Sequence, residues 1–201
     1  MKTSIVYLNR GDVDVILAGT CHIGKKDYFS AVEAELNKSD VVYFEGVGED
    51  SEEMMDKLDF LYKLAAEMTD FVMQSFNKTD KWVNSDTTSE VVAQMNSNAL
   101  DRVSKIDMKR YDSIRNNESA KKLFKFALIA ALNSLGAIGK NSPPCTLRNG
   151  LPVLDTLKSM SNNCKKISIV YGEAHIPGIE KMLKSVGFKR TGILKLDPFK
   201  D

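Results

Sequence analysis

Ile167-Ser168-Ile169-Val170-Tyr171-Gly172-Glu173-Ala174-His175 is a β-branched apolar run that ends in a glycine and, three residues later, a histidine. The same frame stands near the other end of the chain, where Val13-Asp14-Val15-Ile16-Leu17-Ala18 runs into Gly19-Thr20-Cys21-His22. Each histidine is followed by another glycine, Gly24 or Gly178, and then by residues with helical spacing. Both frames read as a strand, a tight turn, a histidine and a helix N-terminus. A glycine there lets the backbone turn sharply and approach whatever the imidazole holds. The following helix aims a partly positive N-terminus at the same spot. The chain has 2 histidines, one in each frame, and the rest reads as scaffold that brings them together.

Working outward, residues 4–8 alternate as a strand, Asn9-Arg10-Gly11-Asp12 is a turn, and residues 13–18 form the other arm of a hairpin. Tyr28, Val32 and Leu36 recur every four residues, which predicts an amphipathic helix over 27–38. Val41-Val42-Tyr43-Phe44 is a continuous apolar run of the kind found in parallel strands buried on both faces, and it ends in Glu45-Gly46. A β-helix-β unit with polar strand ends is the layout in which open α/β sheets bind ligands. The expected fold is therefore α/β: one domain over 1–201, with a mainly parallel central sheet flanked by helices.

A helical block over about 50–140 is expected as an insertion between the β segments, packed on the sheet or movable as a lid. Its parts are a helix from about 51 to 76, a loop over 77–89, a helix over 90–106 and an apolar, mostly buried helix over 118–138. Asn141-Ser142-Pro143-Pro144 reads as a break. Residues 150–161 read as a helix with Pro152 in its first turn, 177–186 as another, and 190–196 as a last strand.

Lys+Arg 28 against Asp+Glu 27 leaves a net charge of +1, so no global field recruits nucleic acid or an anionic membrane. Cys21, Cys145 and Cys164 are odd in number with no Cys-x-x-Cys, which argues against a disulfide framework and for a reducing compartment. The first apolar stretch is too short for a secretory leader, and residues 123–138 are interrupted by Lys125, Asn133 and Ser134. A cytoplasmic protein with no membrane span is expected. Oligomeric state is open, a homodimer included.

Two imidazoles converging at strand ends suit a divalent metal with one carboxylate as third ligand and water in the open position. They equally suit one general base and one electrostatic stabiliser. Glu45 is the natural third member, as ligand or as the base that takes a proton from water; the plain alternative is an exposed strand-end charge. Arg148 offers a planar fork for a substrate carboxylate or an oxyanion, or else a salt bridge to the sheet. Asn149 orients Arg148 or caps the helix that follows, and the cap is favoured.

Leu17-Ala18-Gly19-Thr20-Cys21-His22-Ile23-Gly24, Ser39-Asp40-Val41-Val42-Tyr43-Phe44-Glu45, Arg148-Asn149 and Val170-Tyr171-Gly172-Glu173-Ala174-His175-Ile176-Pro177-Gly178-Ile179 together resemble the TraB/PrgY/GumN family. That family includes the Tiki proteases and is related to erythromycin-esterase-like and ChaN-like proteins. Leu183-Lys184-Ser185-Val186-Gly187-Phe188 matches its closing helix. Gly150-Leu151-Pro152 after the Arg-Asn pair departs from the pattern, as do Cys21 and Glu173 where small residues are usual.

The resemblance implies a mixed α/β fold and a hydrolase site of His22, His175 and Glu45 holding manganese, cobalt or zinc. Arg148 and Asn149 would meet a peptide or small-molecule substrate, and Gly19, Gly24, Gly172 and Gly178 would serve as the motif glycines. A peptidase is the first expectation. A peptide-sequestering protein of the pheromone-shutdown type and a metal-free histidine esterase are the alternatives.

Overall fold

The computed structural model describes residues 2–46, 63–86, 117–135 and 143–200, excluding the side chains of 128–135 and 143–146. The chain opens with the hairpin β1 (Thr3–Arg10) and β2 (Val13–Thr20). Then come β3 (Ile23–Gly24), α1 (Lys26–Leu36) and β4 (Val41–Phe44). After a helical stretch over 63–68 come β5 (Val72–Met73), β6 (Trp82–Asn84) and α2 (Glu118–Leu135). The chain continues through α3 (Pro143–Ser161), β7 (Lys166–Gly172), α4 (Ile176–Ser185) and β8 (Lys189–Leu196).

The fold is α/β, with a six-stranded, mostly parallel sheet in the order β6-β4-β7-β2-β1-β8. β6, β4, β7 and β2 run parallel to one another, while β1 is antiparallel to both β2 and β8. The two-residue alternation of a strand sorts its side chains between two cores. On one face Leu17, Tyr43, Ile169 and Tyr171 meet Val153 of α3 and Ile176, Ile179 and Leu183 of α4. On the other Ala18, Val42 and Val170 meet Tyr28, Phe29, Val32 and Leu36 of α1. The result is three layers, helix on sheet on helix. Parallel pairing of β2 with β7 sets Thr20 beside Gly172, so the two glycine-histidine frames leave the same edge of the sheet.

The span from 50 to 140 is not wholly helical. The helix expected to reach Phe76 ends near Met68, where Thr69 Oγ1 donates to Ala65 O at 2.6 Å and accepts from Phe71 N at 3.2 Å. These local bonds compete with the helical ladder, and Val72–Met73 pairs instead with Ile23–Gly24. The loop expected over 77–89 carries β6, which pairs with β4 from Val42↔Trp82 to Phe44↔Asn84. The helix expected over 90–106 lies outside the described residues.

α2 forms as expected, but Leu123 and Phe126 on it are 71% and 76% exposed, so its described part is not mostly buried. α3 starts at Pro143, where a break was expected, because prolines fit a helix's first turn. Pro152 therefore lies inside the helix rather than at its start. Its missing N–H costs the bond to the carbonyl four residues back, while its own carbonyl still accepts Thr156 Oγ1 at 2.7 Å. No described helix is long and apolar enough to cross a membrane.

Candidate functional site

Glu45 follows the last residue of β4, and its N–H donates to Val170 O of the neighbouring parallel strand at 3.0 Å. Phe44 packs on the α1 face, so strand alternation turns Glu45 toward α3. There its Oε2 accepts the Gly172 N–H at 2.6 Å and its Oε1 accepts Arg148 Nη2 at 2.6 Å. A β-carbon on Gly172 would stand 3.3 Å from Oε2, so the second frame's glycine makes room for this carboxylate.

Arg148 is held from a second side. Its Nε donates to Asp86 Oδ1 at 2.9 Å and its Nη2 to Asp86 Oδ2 at 2.6 Å. The Asp86 side chain is 0% exposed and that of Arg148 11%. Burial works against the guanidinium's charge, yet the bonds and charges of Asp86 and Glu45 raise its pKa above the usual value. A buried fork between two carboxylates is a strong, geometrically exact pairing for arginine.

His175 stands at the N-cap position of α4, where its side chain makes no capping bond. Its Nδ1 lies 2.7 Å from Asn149 Oδ1, so Nδ1–H donates and Nε2 keeps a lone pair. Nε2 faces Glu45 Oε1 at 3.6 Å, too far for a hydrogen bond and close enough for one water to reach both atoms. Burial lowers the His175 pKa below 6.5 and Arg148 adds to this, against the opposing pull of Glu45 and Asp86. The imidazole is therefore neutral near pH 7. The Tyr171 ring meets it edge-on, with centroids 5.7 Å apart, and the Tyr171 hydroxyl donates to Ser85 O.

The structure thus brings Glu45, Arg148, Asn149 and His175 together, from β4, α3 and α4. His22 takes a different path: it leads into β3 rather than a helix, its side chain is exposed, and its carbonyl accepts Gln74 N at 2.8 Å. The glycines of the first frame serve other partners. A β-carbon on Gly19 would overlap Glu173 Oε2, whose carboxylate accepts Ser4 N at 2.9 Å and Ser4 Oγ at 2.8 Å. One on Gly24 would meet Pro198 O at 2.9 Å. Cys21 Sγ donates to Ile23 O at 3.1 Å, and burial pushes its thiol up to about 12.

Among the described residues no three His, Cys, Asp or Glu side chains are grouped to hold a metal ion. Around Glu45 the guanidinium of Arg148 already supplies the cation, and Gly172 N–H occupies the other carboxylate oxygen. A divalent ion would find Nε2 of His175 and one shared oxygen, short of the three protein ligands of a catalytic zinc site. In this arrangement the donor set that the described residues offer falls short of a metal's.

A cavity of about 320 Å³, with Glu45 in its lining, opens between the strand ends and the segment after β5. Phe44, Phe76 and Val170 give it apolar walls, and Gln74, Ser75 and Lys78 give it polar ones.

No family model, no curated protein and no solved structure matches the chain. The resemblance to the TraB/PrgY/GumN family therefore rests on the motif residues themselves.

Two features escaped the sequence. Asp86 went unnoticed because Trp82-Val83-Asn84 is too short a strand to stand out from its polar surroundings, although Asp86 is a strand-end acid just as Glu45 is. Asn149 is expected to orient Arg148 or, the favoured reading, to cap a helix; it lies inside α3, buried, and it meets His175.

Proposed function

We propose that this protein is a hydrolase acting on an ester or amide bond of a peptide or related small molecule, with His175 as its general base. The observation that carries the reading is the Asn149–His175 hydrogen bond of 2.7 Å, which turns Nε2 to Glu45, a residue that also lines a cavity. A neutral imidazole held in one tautomer is what a base working near pH 7 requires. The resemblance supports the same reaction class.

A water hydrogen-bonded to both His175 Nε2 and Glu45 Oε1, seated off the line that joins them, would be the nucleophile. As its oxygen attacks the carbonyl carbon, its proton passes to Nε2, and the same proton then goes to the leaving oxygen or nitrogen as the scissile bond breaks. Arg148 holds Glu45 in place through the bond from its Nη2 to Oε1. Its Nη1, engaged by no described residue, is the donor for the oxyanion. Asp86 positions Arg148, and Asn149 positions His175. No step passes through a metal, because the donor set described above does not supply its ligands.

The test is turnover of p-nitrophenyl acetate and short peptides by wild type and His175→Gln. A general base is worth roughly 10²–10⁴ in rate, so the variant should lose at least about 100-fold while staying folded. Equal rates in both would sink the reading. A peptide retained without product by both would move the protein to the sequestering class.

A further inference from the structure

The cavity beside Glu45 has walls of two kinds. Phe76 stacks on Trp82 with centroids 5.6 Å apart, and Trp82 packs in turn near Phe44 at 6.1 Å. The aromatic side is therefore backed by further rings and is firm. The polar side carries Lys78, whose Nζ stands 3.9 Å from the centre of the Phe44 ring. The two charges on the described lining, Glu45 and Lys78, differ in what they already face. Glu45 is matched by Arg148 at 2.6 Å, whereas Lys78 meets the face of an aromatic ring, a weaker partner than a carboxylate.

At about 320 Å³ the space lies at the small end for ligand pockets and suits a single side chain with its backbone. Arg148 was expected to hold a substrate carboxylate, but Asp86 and Glu45 take its Nε and Nη2. Among the described residues, the cation that lines the cavity is Lys78.

We propose that this cavity binds an amino acid-sized group with an apolar or aromatic body and a free carboxylate, the carboxylate pairing with Lys78. Its body lies against Phe44, Phe76 and Val170, and the acylated nitrogen points to Glu45. Identifying this group as the substrate rests on the hydrolase reading; the binding itself does not. A free α-carboxylate one residue from the scissile bond makes the substrate class an N-acyl amino acid or the C-terminal end of a peptide.

The chain has 1 tryptophan, so Trp82 fluorescence reports on the wall that Phe76 forms. The probes are N-acetyl-L-phenylalanine and its neutral amide, titrated into wild type, Lys78→Met and Lys78→Arg, with calorimetry as a second readout. The acid should bind wild type at least about tenfold more tightly than the amide. Lys78→Met should erase that preference and Lys78→Arg should keep it. Lys78 is exposed, so neither variant threatens the fold. Equal affinity for acid and amide in wild type, or a preference that survives Lys78→Met, overturns the proposal. His175→Gln should bind both probes as wild type does; this separates a failed pocket from a failed hydrolase, since binding that persists without turnover leaves the pocket standing.

Discussion

Gly178 on α4 and the carboxamide of Asn149 on α3 share one space: a β-carbon on Gly178 would overlap Asn149 Nδ2. The second frame's last glycine is thus the contact surface for the residue that fixes the His175 tautomer. Gly178→Ala should cost about 1–3 kcal/mol, the usual penalty for overpacking, and should lower turnover further by pushing Asn149 off Nδ1. Gly150 on the same α3 helix has nothing within 4 Å of an added β-carbon. Gly150→Ala should therefore stabilise by about 0.5–1 kcal/mol. Thermal melts and ester turnover of both variants check the pair, and a Gly178→Ala protein as stable and active as wild type would contradict the packing described.

Arg148 joins two carboxylates that would otherwise face each other. Removing one partner of a buried ion pair costs about 3–5 kcal/mol, so Arg148→Met should lower urea stability by an amount in that range. Adding Asp86→Asn should return part of the loss, because it removes one uncompensated charge. If Arg148→Met is neutral, the Glu45–Arg148–Asp86 bridge does not form in solution.

The depressed pKa of His175 has a definite sign in stability. The unfolded imidazole titrates near 6.5 and the folded one below it, chiefly through burial. Between those values the unfolded chain binds more protons, so stability rises with pH through the window and is lost as pH falls below 6.5. His175→Gln lacks this loss. Wild type minus variant, measured by urea unfolding from pH 8 to 5, should be flat at the alkaline end and turn against wild type below 6.5. Proton NMR offers a direct check, since the imidazole signal missing from the variant should titrate below 6.5 in wild type.

Chelation addresses the metal implied by the family resemblance. With Arg148 in the cation position, turnover should survive dialysis against EDTA, and His22→Ala should leave metal content unchanged. Activity lost to EDTA and restored by manganese, cobalt or zinc would show that the side chains around Glu45 rearrange about an ion.

Much of the fold was legible because its long elements are periodic: the hairpin, α1, β4, β7 and α4 all lie where apolar spacing puts them. The repeated frame was legible too, and pairing of β2 with β7 does set its two copies side by side. The fate of the histidines was not, because identical local text continues differently: His175 opens a helix directly, while His22 enters a two-residue strand held by β5. That pairing depends on Val72–Met73, about fifty residues downstream, which no local pattern announces. Asp86 was hidden for the same kind of reason, since its importance comes from β6 lying beside β4.

The cluster around Glu45 also has a history within each folding event. Its bonds join residues 103, 127 and 26 positions apart along the chain, from Glu45 to Arg148, Glu45 to Gly172 and Asn149 to His175. Closing such long loops is slow and comes after local structure has formed. A nascent or partly unfolded chain therefore holds Glu45, Arg148 and His175 as three unrelated side chains. The chemistry proposed for them would switch on only when the parallel strands have joined, which would make turnover a late and stringent gauge of the native topology.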